Sequence, residues 1–132
     1  MDLRDRIADA FTNYLKAHSF CERSYSIVEQ HFGNSILCAR SNDFEIRFVT
    51  YRGDLFIDVA ASSDPNNWYS LDALLEILWY GWGVLGGISD KEIATILAKE
   101  HRNLSTLLDT QNLADTAKKY YVLAKRPRPP LN

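Results

Sequence analysis

Three histidines, two cysteines and 17 carboxylates are the material for chemistry in this chain, and their spacing limits what they can do. His18, His31 and His101 are far apart and none belongs to a spaced pair. There is no His-Glu-x-x-His, no Cys-x-x-Cys and no calcium loop. A folded group of His31, Asp58 and Asp64 would offer metal-binding atoms, but nothing in the pattern requires one, so no metal and no cofactor are expected. A nucleophilic Cys21 or Cys38 would need a base beside it, and sequence proximity to His18 or His31 does not supply one, since such pairs are made by the fold. The glycines of GWGVLGG follow a helical pattern, not a strand, and lack the Lys-Ser/Thr of a phosphate loop. They read as a tight turn. Ser41-Asn42-Asp43, Ser63-Asp64 and Ser89-Asp90 lie where turns and caps use the same residues. No catalytic residue is assigned, and a binding protein is expected rather than an enzyme.

What remains unexplained by local geometry lies on surfaces. Phe56 and Asp58 share one face of a strand, and Glu45 and Arg47 occupy the matching face of its neighbour. An aromatic anchor with charges around it is the composition of a protein-binding face. In SSDPNNWYSLDALLEIL, Asp64 and Pro65 make a turn and Ser70 a helix cap. A turn needs no aromatics, so Trp68 and Tyr69 join Glu45, Arg47, Phe56 and Asp58 as candidate partner-binding residues. With Trp79, Tyr80 and Trp82 they form an expected aromatic ledge, because each indole N–H and phenol O–H needs a polar partner.

The elements that position these residues follow from hydrophobic period. Leu3, Ile7, Ala10, Phe11, Tyr14 and Leu15 make one stripe of a first helix, capped by Asp2 and ending near His18. The period then becomes two. Strands are expected at Tyr25–Val28, Ser35–Arg40, Phe44–Tyr51 and Leu55–Val59, joined by short polar turns, with Gly53 free for a positive φ. Leu71, Leu74, Leu75 and Leu78 begin a second helix, Ser89 with Glu92 a capping box, and Asn103 to Ala124 a further helical stretch that slips near Asp109–Asn112. The expected class is α+β: a four-stranded antiparallel meander with an N-terminal helix and C-terminal helices covering one face. One domain should span residues 1–126, with a flexible proline-rich tail at 127–132.

A chain of 132 residues with 46% hydrophobic and 24% charged residues can bury a core without staples. Its charged start and broken apolar runs argue against a signal peptide or membrane span, so a cytoplasmic protein with two buried thiols and no membrane partner is expected. The net charge of −2 hides an acidic body and a basic end, KKYYVLAKRPRPP. Basic residues among aromatics suggest a nucleic-acid patch, but five charges on an acidic protein make nucleic acid an unexpected partner.

The run from Ser41 to Leu78, with Asp64-Pro65, Trp68-Tyr69 and Leu71-Asp72, resembles small uncharacterised bacterial proteins, some of which look like immunity partners of polymorphic toxins. That resemblance implies a non-enzymatic protein that occludes another protein, a toxin in the immunity case. A second copy of the chain is another candidate partner. The net charge departs from the strongly acidic immunity type. The alternative expectation is a small-molecule binder or enzyme with a pocket between sheet and helices near Trp68 and Tyr69.

Overall fold

The computed structural model describes residues 2–28 and 34–125. His31, and with it the His31–Asp58–Asp64 metal set, lies outside the described residues, as does the expected tail at 127–132.

The first apolar stripe folds as two helices rather than one, α1 (Leu3–Ala10) and α2 (Thr12–Ala17), interrupted at Phe11. The Asp2 carboxylate accepts the Asp5 N–H and caps α1 as expected. At the break, the Thr12 hydroxyl donates to the Ala8 carbonyl at 3.0 Å, a side-chain bond that competes with the helical ladder. The stripe itself continues across the break and Phe11 is wholly buried. α2 ends in a Schellman turn: Ser19, at φ 58°, donates to Lys16 and Phe20 to Leu15. This turn folds Phe20 back toward the core.

Among the described residues the sheet has five strands, not four. β1 (Cys21–Val28), β2 (Asn34–Arg40), β3 (Glu45–Tyr51), β4 (Asp54–Ala60) and β5 (Trp68–Ser70) lie in sequence order, all antiparallel. The extra strand follows from the Asp64-Pro65 turn. Bonds from Asp64 N–H to Ala61 and from Asn67 N–H to Asp64 reverse the chain, and Trp68–Ser70 returns along β4. The β3–β4 hairpin turns on Arg52 and Gly53, both at positive φ (51° and 83°), the pairing a two-residue turn needs to match the strand twist. In β1 the register shifts between Glu22 and Ser24, so Arg23 is an extra, bulged residue.

α3 (Leu71–Ile77), a 3₁₀ turn (Val84–Gly87), α4 (Asp90–Leu107) and α5 (Leu113–Lys125) follow in the described residues. Ser89 accepts the Glu92 N–H, closing the expected capping box. The helix expected there and the start of the next one are continuous as α4. The slip near Asp109–Asn112 is a true break, where the Asp109 carboxylate takes the Asn112 N–H at 2.8 Å and Thr116 donates back to Leu107 at 2.7 Å.

Leu37, Phe48, Ile57, Val59 and Tyr69 from the strands share one core with Leu3, Phe11, Leu74, Leu97 and Leu104 from the helices. The helices therefore cover one sheet face. Arg6 fastens them: its guanidinium donates twice to Asp90 at 2.9 Å and once to Gly53 O at 2.8 Å. Among the described residues the other face leaves Arg47, Val49, Phe56, Asp58 and Trp68 half-buried or exposed, while Glu45 and Ala60 on it are buried. No described helix is long and apolar enough to cross a membrane.

Candidate functional site

The register of the hairpins builds the uncovered face in transverse rows. Val49 stands opposite both Ile36 and Phe56, an apolar row whose outer member, Phe56, is 52% exposed. Arg47 stands opposite Cys38 and Asp58, and Glu45 opposite Arg40 and Ala60, with Trp68 beside Ala60. Arg47 binds the Asp58 carboxylate at 2.8 and 3.1 Å and lays its guanidinium 4.5 Å from the centre of the Trp68 ring. Asp58 and Trp68 thus hold one cation between them.

Glu45 is buried although no described helix covers it. Its two oxygens accept from Arg23 at 2.8 Å and Arg40 at 3.2 Å, and each arginine stays about half exposed while shielding the carboxylate. The β1 bulge has a use here, since Arg23 is the residue it turns toward Glu45. At this end of the face two guanidiniums share one carboxylate.

Five of the six expected partner-binding residues, Glu45, Arg47, Phe56, Asp58 and Trp68, therefore share this face. Tyr69 does not. Adjacent residues of a strand point to opposite sides, and Tyr69 is 2% exposed with its ring edge-on to Tyr120 at 4.9 Å. Its hydroxyl accepts from Asn67, and burial raises its pKa, with Asp64 adding to the effect. A cavity of about 240 Å³ near this end of the sheet is lined by Leu55, Asp58, Ser70, Asp72 and Leu85 among others, and not by Trp68 or Tyr69.

The expected ledge divides. Tyr80 turns inward and donates to Glu100 at 3.0 Å, whereas Trp79 is 94% exposed. Trp79 sits at φ 73° in a second Schellman turn, donating to Glu76 while Tyr80 donates to Leu75, at a position glycine would fill without strain. The expectation of two buried thiols is corrected: Cys21 is exposed, Cys38 half-buried, and both are free. Strand alternation puts them on the uncovered face, opposite Arg40 and Ser24.

A second constellation lies at the end of the molecule where α2, the β2–β3 turn and α4 meet. His101 Nε2 lies 2.7 Å from Asp43 Oδ2, and Nδ1 lies 2.7 Å from the Tyr14 hydroxyl. A carboxylate accepts, so Nε2 carries a proton, and in the neutral imidazole Nδ1 then takes the Tyr14 O–H. Tyr14 and His101 are buried. Burial, helped by Asp43, raises the Tyr14 pKa above its ordinary value. The His18 ring stacks on His101 with centroids 3.6 Å apart. Burial lowers the His18 pKa, and His101 adds to this while Asp43 opposes it. Sequence spacing missed this group because its members stand at positions 14, 18, 43 and 101. A signal existed: His101 falls on the buried stripe of Ile93, Leu97 and Leu104, and His18 falls one turn after Tyr14.

No family model, no curated protein and no solved structure matches this chain.

Proposed function

We propose that this chain is a non-enzymatic binding protein that occludes another protein through its uncovered sheet face. The observation that supports this most is the row Ile36–Val49–Phe56 beside the Arg47–Asp58–Trp68 group: a preformed aromatic and aliphatic strip next to rigidly held charges. Interfaces are built this way, with an apolar centre and a polar rim, and arginine and tryptophan are the residues on which binding energy concentrates. Arg23 and Arg40 share the single carboxylate of Glu45, which leaves that end locally positive and suits a partner offering carboxylates around an apolar patch. A toxin occluded by an immunity-type protein is one partner of this kind, and an acidic contact surface distinguishes it from a basic nuclease. The small-molecule reading centred on Trp68 and Tyr69 has less support, since Tyr69 is occupied by Asn67 and Tyr120.

The test compares the wild type with Phe56→Ala/Arg47→Ala, and with Trp79→Ala as a control far from the strip in sequence. A photo-crosslinking residue at Val49 should trap one partner at one-to-one stoichiometry. The trapped species should be lost in the double variant, retained in the control and weakened by salt. A partner trapped equally by the double variant would show the face to be wrong.

A further inference from the structure

We propose that His18, Asp43 and His101 form a binding site for a zinc-class divalent cation, with Tyr14 as the positioning residue behind His101. The three come from the end of α2, the β2–β3 turn and the middle of α4, yet one donor atom from each lies within 4.8 Å of the others. With metal–ligand bonds of about 2.0–2.1 Å, tetrahedral donors stand about 3.3 Å apart. The set is therefore near closure.

His101 Nε2 and Asp43 Oδ2, at 2.7 Å, are closer than two ligands of one metal, because they share a proton. The cation takes that proton's place and the pair opens by about half an ångström. The displaced proton has somewhere to go. His101 moves it to Nδ1, which then donates to the Tyr14 oxygen at the position now occupied by the reverse bond. Tyr14 rotates its hydroxyl to accept that bond, so the same oxygen faces His101 in either tautomer. A ligand histidine whose second nitrogen is held by a fixed polar group is the arrangement that orients metal-binding imidazoles.

His18 completes the set. Among the described residues its imidazole is engaged by ring contacts, with Tyr14 and His101, and by no side-chain hydrogen bond. Its ring lies 19° from parallel to that of His101, so it must tilt out of the stack for its nitrogen to face the same point. His18 is not locked in place, since with Tyr14 it lines a cleft of about 540 Å³ between the first helices and α4. Two imidazoles and one carboxylate favour zinc, cobalt or nickel over magnesium or calcium, and three protein donors leave a fourth position to water, which reaches the group at the exposed Asp43.

The site does not depend on the uncovered face, so either reading can fail alone. The experiment strips the protein with chelator, titrates it with zinc by calorimetry, and titrates it with cobalt by visible absorption. One equivalent should bind, with cobalt bands of tetrahedral intensity and no comparable magnesium uptake. His18→Ala and Asp43→Asn should each weaken binding by at least about tenfold without unfolding the chain, since neither residue is fully buried. Tyr14→Phe should keep the stoichiometry, weaken binding about tenfold and shift the cobalt bands. No saturable uptake at millimolar zinc would overturn the proposal. So would uptake that survives both His18→Ala and Asp43→Asn in folded protein, or uptake that is lost in His31→Ala.

Discussion

Phe48 and Phe56 lie on neighbouring strands of one sheet and meet opposite solvents. Phe48 points into the helical layer, fully buried, with its ring 5.0 Å from that of Phe11. Phe56 points the other way and keeps about half its surface in water. The polar groups divide in the same manner. On the covered side, the buried Tyr14 and His101 and the exposed Asp43 at their edge come from three distant segments and are joined by short hydrogen bonds. On the uncovered side, Arg23, Arg40 and Glu45 come from adjacent strands and meet as ions whose arginines stay wet. The helices make the difference. Beneath them a polar group survives only if every hydrogen-bonding atom is matched, whereas on the open face water completes whatever a side chain leaves undone.

That contrast is broken most sharply at its apolar end. Phe48→Ala should cost about 3–5 kcal/mol, the transfer free energy of a buried ring plus the cavity left against Phe11, measurable by urea unfolding. A loss below about 1 kcal/mol would mean that the covered face is not packed as described.

Tyr14→Phe tests the covered polar group and should cost about 2 kcal/mol, because it leaves a buried His101 nitrogen without its donor. The difference should also depend on pH. The folded Tyr14 pKa is raised by burial first and by Asp43 second, so the folded chain holds the phenol proton more tightly than the unfolded chain. Its contribution is complete below the ordinary tyrosine value of about 10 and declines as pH rises above it. The wild type's advantage over Tyr14→Phe should therefore shrink above that pH. A constant gap would mean that the hydroxyl is not buried as described.

Glu45→Ala is the corresponding change on the open face and should cost only about 1 kcal/mol, because both guanidiniums are half exposed and water replaces the carboxylate. A loss as large as that of Tyr14→Phe would erase the distinction between the two polar clusters.

How much of this could be read beforehand depended on whether the determining contact was local. Phe44–Tyr51 alternates over enough residues to fix its faces, and the Arg52-Gly53 turn fixes the register that brings Arg47 to Asp58. Glu45, Arg47, Phe56 and Asp58 were legible for that reason. Three residues cannot display a period of two, so β5 was not, and with it went the fact that Trp68 and Tyr69 point apart. The break at Phe11 was hidden because the apolar stripe runs straight through it and no glycine or proline marks it. The His18–Asp43–His101 group was hidden by distance along the chain. Only the position of His101 on a buried helical stripe hinted that an imidazole points inward.

Phe56→Ala should change least in stability and most in function. The ring is half in water, and its cross-strand neighbour Val49 keeps a partner on its other side in Ile36, so the unfolding free energy should move by less than about 0.5 kcal/mol. An exposed aromatic with so little return in folding is the residue a binding face would use, because its remaining apolar area is buried only when a partner arrives. Measured side by side, Phe48→Ala should lose stability, and retain partner capture in whatever fraction stays folded. Phe56→Ala should keep its stability and lose capture. If Phe56→Ala instead destabilised the chain by more than about 2 kcal/mol, the ring would be packed against something the described residues do not provide, and the open face would be a covered one.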